Sequence, residues 1–480
     1  MTNNKLSDLK PKKVFEYFEE ICSIPHGSGN TKKISDYLVS FAKNHNLKYE
    51  QDKLNNVIIY KNGTCGYEDH KPIIIQGHMD MVCEKDDDCP IDMNNEGLDV
   101  THNDNFVFAN GTTLGGDDGI AVAYSLAILA DDSIPHPPLE IVITVDEETG
   151  MYGAADIDLS NLKGKKLINI DSEDEGIFTV SCAGGSKPTI KLPVERQNLN
   201  ANTFKITIEN LEGGHSGIEI QKNRANANKA MGELLANLYD KIVFNIIDFS
   251  GGTKDNAIPR SCEVIISTNN TIDNIEKIAK SFETTLKEKY DEPNVTVNIK
   301  NKGLVNCFAL NDKSTKNIID LLNELPNGVK AWSKEITGLV QTSLNLGIAK
   351  LNENELSLTF SVRSSINEEK EDLLLELKNI SNFFDASFTR KGEYPAWEYN
   401  KDSELREIFI DSYRKIYNSD PKVEAIHAGL ECGLLSEKIN NLDCISFGPQ
   451  MHDIHTSREK LDIASTERTW NLLLEVLKRL

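Results

Sequence analysis

The stretch that decides the fold reads Ile73-Ile74-Ile75-Gln76-Gly77-His78-Met79-Asp80-Met81-Val82. An apolar run of this kind belongs in a sheet covered on both faces by helices. At its end a histidine and a carboxylate stand two residues apart, and in a strand that spacing points both side chains to one face. Such a pair can supply one metal-binding imidazole and one carboxylate to orient it. By itself the tripeptide equally describes a buried histidine satisfied by a neighbouring acid. The residues that follow give it weight.

Downstream lie Gly115-Gly116-Asp117-Asp118-Gly119, then Asp146-Glu147-Glu148-Thr149-Gly150, then Asp171, then His452-Asp453-Ile454-His455. Each group falls at a strand end or a helix start, and together they are the material of a dinuclear metal site. Asp117 and Asp118 open a helix, where carboxylates often serve only as caps. The two glycines before them also permit the close backbone approach that a carboxylate bridging two cations needs. Glu147 and Glu148 diverge from the end of a strand, so one can bind metal while the other faces substrate; a solvated acidic turn is the plainer reading. Asp146 is a spare carboxylate, and 172–175 reads as solvated charge. On spacing alone either His452 or His455 could be a ligand. All these positions lie at carboxyl ends of strands, where open α/β sheets place their sites.

A chain of 480 residues exceeds one ordinary core and implies two or three domains. Its net charge of −23 argues against binding a nucleic-acid backbone or an anionic membrane through bulk charge. Nine scattered cysteines with no C-x-x-C pair indicate free thiols in a reducing compartment. The sequence shows neither an apolar core of signal length at its N-terminus nor a run of roughly 20 apolar residues. The expected location is the cytoplasm.

The order of elements points to an α/β layer domain interrupted by a large insertion. From 12 to about 180, helices at 14–21, 31–44 and 120–130 alternate with strands at 56–61, 72–76, 139–145 and 166–170. After Gly184-Gly185 the pattern becomes strand 203–209, helix 223–241, strands 242–249 and 262–268, helix 272–290 and strand 295–300. It then recurs as strand 304–310, helix 314–325, strands 339–349 and 355–363, helix 368–384 and strand 386–390. This predicts two ferredoxin-like halves in tandem. From Trp397 the α/β pattern returns with a helix at 403–417, strands at 422–427 and 443–447, and a closing helix at 463–480. The expected domains are therefore 1–184 with 397–480, and an inserted α+β lid at 185–396. A cleft between two such bodies is a common place for a ligand site.

The ordered set GHMD, GGDDG, DEETG, DSED and GPQMHDIHT resembles the di-zinc metallopeptidases of the aminoacylase and carboxypeptidase kind, and among them the aminoacyl-histidine dipeptidases. The resemblance runs from IPHGSGN at 24–30 to the end. It includes GGHSG at 213–217, RANANK at 224–229, GGTKDNAIPR at 251–260, VQTSLNLG at 340–347, VRSS at 362–365 and HAGLECG at 427–433. One departure is Ser457, where the family usually has proline.

The resemblance implies a di-zinc exopeptidase-like α/β/α catalytic domain holding two divalent metal ions, zinc foremost, with manganese and cobalt served by the same donors. Asp117 would bridge the metals, His78 and Asp171 complete one, and Glu148 and His455 complete the other. Asp80 would orient His78. Glu147 would be the general base on a water held between the metals. His215 would stabilise the oxyanion, and Asn256 and Arg363 would anchor the substrate carboxylate. The implied substrates are small peptides, namely dipeptides of broad type including Xaa-His dipeptides of the β-alanyl-histidine kind. A tripeptidase or N-acyl-amino-acid hydrolase is the alternative within the superfamily, and an inactive peptide-binding protein a remoter one. Resemblance also suggests a cis peptide between Asp117 and Asp118. A homodimer is left open; the inserted domain is large enough to serve its own chain with His215.

Overall fold

The computed structural model describes residues 5–480, which divide into two compact units. The first comprises the chain through Ser181, together with Tyr399–Ala425 and Leu430–Leu480; the second comprises Cys182–Glu398 and Ile426–Gly429.

In the first unit an eight-stranded sheet runs in the order Lys48–Gln51, Val57–Lys61, Leu139–Thr144, Ile73–His78, Lys166–Asn169, Asp443–Ser446, Ile177–Cys182, Lys422–Ile426. The four strands from Leu139–Thr144 to Asp443–Ser446 are mutually parallel. Antiparallel strands flank them. Every residue of Ile73–His78 and Leu139–Thr144 is buried, so the sheet is covered on both faces there. The helix Gly116–Ala130 is apolar all round and almost wholly buried; it packs on Ile73–His78 and on the helix Lys12–Cys22. Lys12–Cys22 is amphipathic and buries Val14, Phe15, Phe18, Ile21 and Cys22. Helix Glu404–Tyr417 packs on the strand Asp443–Ser446 and on the closing helix Ile463–Leu477. A second, four-stranded sheet joins Met451–His452, Lys460–Asp462, Phe106–Ala109 and Val100–His102.

The second unit is built on one continuous antiparallel sheet. Its order is Thr296–Leu310, Arg196–Glu209, Cys262–Thr268, Asn245–Gly251, Val340–Leu351, Glu355–Ser364, Gly184–Pro193, Ser387–Tyr394. Two β-α-β-β-α-β units are legible in that order, as expected, but they are nested and not in tandem. The strand Gly184–Pro193 is the first strand of the second half, and the whole first half, 196–310, is inserted before that half's first helix, Asp312–Glu324. The halves join where Ser250 and Gly251 pair with Lys350 and Ala349.

The expected separate strand at 304–310 is a continuation of Thr296–Leu310. Gly303, between the two expected strands, sits at a register shift opposite Thr203, and the strand runs through it as a β-bulge. One core, containing Phe204, Ile206, Leu234, Phe249, Leu346 and Phe360, lies beneath this sheet. Ile426–Gly429 groups with the second unit because the Ala183 N–H donates to the Ile426 and Ala428 carbonyls, and His427 Nε2 lies 2.7 Å from Ser343 Oγ.

Candidate metal centre

Strand ends of the parallel sheet carry the site in the first unit. His78 closes Ile73–His78, Glu147 and Glu148 follow Leu139–Thr144, Asp171 follows Lys166–Asn169, and His455 lies beyond Asp443–Ser446. Asp117 sits at the start of the helix Gly116–Ala130, joined to Asp118 by a cis peptide as expected. Gly115 precedes it at φ +70°, a conformation glycine takes without a steric penalty.

The Asp117 carboxylate stands between two imidazoles. Its Oδ1 is 3.2 Å from His78 Nε2 and its Oδ2 is 3.2 Å from His455 Nε2. Asp171 Oδ1 is 3.7 Å from His78 Nε2, and Glu148 Oε1 is 2.9 Å from His455 Nε2. His455 is held at φ +59°, uncommon for a residue with a Cβ. His452 lies instead in the strand Met451–His452, its ring edge-on to Phe106 at 5.5 Å. The sequence left these two histidines undecided on spacing, and the turn between them brings only His455 to the carboxylates.

The surroundings hold these groups in place. His78 Nδ1 lies 3.0 Å from the Asp80 carbonyl oxygen and 3.5 Å from its carboxylate. A carbonyl can only accept, so Nδ1 carries the proton and Nε2 is left to face the carboxylates. The nearer acceptor is thus the Asp80 backbone, with the expected carboxylate just beyond it. That carboxylate also accepts from Ser28 Oγ at 2.8 Å and from the Glu147 N–H at 3.1 Å. Asp146 Oδ1 accepts from the Gly29 N–H at 2.6 Å, so the IPHGSGN segment braces the acidic turn directly through Gly29 and indirectly through Ser28 and Asp80. Asp118 Oδ2 accepts from the His78 N–H at 3.1 Å, and a Cβ at Gly77 would collide with that carboxylate. Glu459 accepts from the N–H groups of Leu114, Gly115 and Gly116 at 2.9, 3.2 and 2.7 Å, fixing the loop that presents Asp117.

The donor set fits divalent cations. His78, Asp117 and Glu148 offer ligand atoms within 4.8 Å of one another, as do His78, Asp118 and Asp171. Among the described residues no lysine or arginine pairs with Asp117, Glu148 or Asp171. Burial opposes charge on His78, yet hydrogen bonds to Asp117, Asp171 and Asp80 outweigh it and hold the imidazole well above its ordinary value. Hydrogen bonds to Asp117 and Glu148 push His455 up to about 10. Burial raises Asp171 to about 6 and lifts Glu147 well above the carboxylate range. Positive charge is thus drawn to the Nε2 positions, where a cation would replace protons. Asp118 enters one of these groups although the resemblance gave it no role.

The three residues expected to bind substrate lie in the second unit. His215 sits in a two-stranded ribbon opposite Ala257, and the Ser216 N–H donates to the Asn256 carbonyl at 2.9 Å. Arg363, on Glu355–Ser364, donates from Nη1 to Tyr394 Oη at 3.1 Å and has a buried Nε without a partner among the described residues. Burial and the Arg363 charge both lower the pKa of His215, and the same two causes bring His427 down to about 3. Within this unit His215, Asn256, Arg363 and His427 therefore form one neighbourhood.

Residues 74–479 match the model of peptidase family M20/M25/M40. The chain belongs to this family. It is 36% identical over 481 residues to the cytosol non-specific dipeptidase of Escherichia coli K12, covering 99% of each chain. The crystal structure of aminoacylhistidine dipeptidase from Vibrio alginolyticus superposes with a TM-score of 0.94 at 34% identity, covering 99% of this chain and 98% of that one. Aminopeptidase PepT from Bacillus cereus shares the fold, with a TM-score of 0.57 at 16% identity over 98% of both chains. The expected di-zinc exopeptidase-like fold is thus the M20 fold. Among the described residues no helix is long and apolar enough to cross a membrane.

Two supports of the site went unrecognised in the sequence. One is Glu459, and the other is Glu431, one letter of HAGLECG. No local pattern marks either, because their partners lie more than 280 residues away along the chain.

Proposed function

We propose that the protein is a metal-dependent dipeptidase of broad specificity whose substrates include Xaa-His dipeptides of the β-alanyl-histidine kind. The observation that carries this reading is the Asp117 carboxylate, which turns one oxygen to each of two imidazoles while Glu147 stands apart from that contact set. Its full-length likeness to two dipeptidases supports the substrate class. We assign His78 and Asp171 to one cation, Glu148 and His455 to the other, and Asp117 to both. Zinc is the foremost candidate, and manganese and cobalt suit the same oxygen and imidazole donors. When bound, such a pair supplies Lewis-acid polarisation of the scissile carbonyl and a water of lowered pKa.

The chain's own residues do the rest. Glu147, held well above the ordinary carboxylate range by burial, is suited to take a proton at neutral pH and return it to the leaving amine. Asp80 fixes both partners of the step: its carbonyl sets the His78 tautomer, and its carboxylate holds the Glu147 backbone. His215 stabilises the oxyanion. Asn256 and the Arg363 fork take the substrate carboxylate, and a clamp on that group limits substrates to short peptides. All nine cysteines are thiols outside any disulfide, in keeping with a cytoplasmic enzyme.

Initial rates on a dipeptide, a tripeptide and an N-acyl amino acid test this reading, each before chelation, after it, and after metal is restored. Fast, chelator-sensitive turnover of the dipeptide is expected. Preference for either of the other substrates defeats the assignment.

A further inference from the structure

Beneath the ligand-bearing strand ends lies a polar ladder with no exposure to solvent. Gln76, Thr144, Asn169 and Glu431 are each 0% exposed. Asn169 Nδ2 donates to Gln76 Oε1 at 2.6 Å, and Gln76 Nε2 donates to Glu431 Oε2 at 2.5 Å. Thr144 Oγ1 donates to the same Glu431 oxygen at 2.6 Å. The ladder crosses the last rungs of three parallel strands, since Gln76 pairs with Asn169, and His78 with Thr144. Its members lie just below the site. In an extended chain Gln76 shares a face with His78, and Asn169 with Asp171, two residues on. Thr144 stands three residues before Glu147.

Glu431 is the anomaly in this ladder. It is the first residue of the helix Glu431–Lys438, where an acidic side chain ordinarily complements the dipole from the surface. Here it is wholly buried. It meets an amide and a hydroxyl through Oε2, and among the described residues Oε1 has no partner. Burial pushes its carboxyl up to about 7. A buried carboxylate without a cation is costly, and a neutral residue could accept the same two hydrogen bonds.

We propose that Glu431 is a positioning residue for the metal centre. It fixes, through Gln76 and Thr144, the strand ends that present His78 and Glu147, and it holds a buried negative charge that is balanced only when cations occupy the site above it. This rests on the dinuclear reading of that site. Groups hydrogen-bonded directly to metal ligands typically contribute about 10–100-fold in metal affinity, and Glu431, one residue further back, belongs at the lower end of that range. A ladder that merely pinned the strands would stabilise the metal-free and metal-bound chain alike. The charge makes a different demand, because its contribution appears only with the cations.

The test uses the full chain with Glu431→Gln, which keeps the shape and both hydrogen bonds, and Glu431→Ala, which removes everything. Zn2+ affinity is read by competition with a chromophoric chelator, and Tm is measured metal-free and Zn2+-saturated. The wild type should bind two Zn2+ per chain. Glu431→Gln should bind about 10-fold more weakly or worse. Its metal-free Tm should match or exceed that of the wild type, and its rise on adding Zn2+ should be smaller. Glu431→Ala should lose more affinity still. Zn2+ affinity within about twofold of wild type in Glu431→Gln overturns the proposal, as does an equal fall in both Tm values. A wild-type chain that takes up no Zn2+ overturns the metal reading itself, a failure distinct from the other two.

Discussion

Asp117 offers a separate oxygen to each imidazole, so it cannot be truncated without touching both half-sites. Asp117→Ala should therefore lose metal from both positions, as measured on the purified chain; two retained equivalents would remove the bridging role. Glu147 should behave differently. Glu147→Ala is expected to lower kcat by about 10²–10⁴-fold with metal content unchanged, the signature of a proton-transfer group that is not a ligand. A variant that keeps a tenth of wild-type kcat would end that assignment. At this scale the sequence showed which residue types could do the chemistry but not all of their contacts. The His-x-Asp spacing pointed to an orienting carboxylate, and the tertiary structure adds what spacing could not show: the Asp80 carbonyl is the nearer acceptor for His78 Nδ1, and the carboxylate also holds Ser28 and the Glu147 backbone.

Elements are held by a few buried charges whose effects can be measured. Lys61, 8% exposed, donates from Nζ to the carbonyls of Ile128, Leu129 and Asp131, at the open end of the helix Gly116–Ala130. Lys61→Met keeps the aliphatic stem and strands those carbonyls. It should cost about 1–3 kcal/mol in denaturant unfolding, and an unchanged midpoint would show that water replaces the cap. In the second unit Glu283 ties the helix Ile272–Tyr290 to the strand beside it. Burial pushes its pKa up, but hydrogen bonds from Lys280, Lys287 and the Val297 N–H win and bring it down to about 2. The folded carboxylate is the weaker base, so its contribution is fully present above about pH 4.5 and drains away as pH falls toward 2. Glu283→Gln should flatten that part of the acid-unfolding curve; an unaltered curve would mean the pair is screened. Most elements were legible from period and propensity because burial on one face or two leaves a periodic trace. The nesting was not, because a bulge glycine and a turn glycine look alike until a partner strand is present.

For the whole molecule, the metal pair and the inserted unit set the tests. Exhaustive chelation should abolish dipeptide hydrolysis and lower Tm, and zinc, manganese or cobalt should restore both, because ligands that bind only the folded state stabilise it. Full activity in a chain verified as metal-free would refute the mechanism. His215 is expected to serve its own chain, so mixing Glu147→Ala with His215→Ala chains under subunit exchange should restore nothing; recovered activity would mean the histidine works across a subunit boundary. The sequence by itself determined the α/β character of the first unit, the existence and type of most elements, and the set of imidazoles and carboxylates at strand ends. Those properties follow from local periodicity and from side-chain chemistry, which the chain carries wherever it goes. Only the tertiary structure decided that Gly184–Pro193 belongs to the half completed at Ser387–Tyr394. It likewise decided that Glu459 caps the loop of Asp117, and that Glu431 lies buried under Gln76 and Thr144. Each of these joins segments separated by some two hundred residues or more, and no local pattern encodes a partner that only folding brings near.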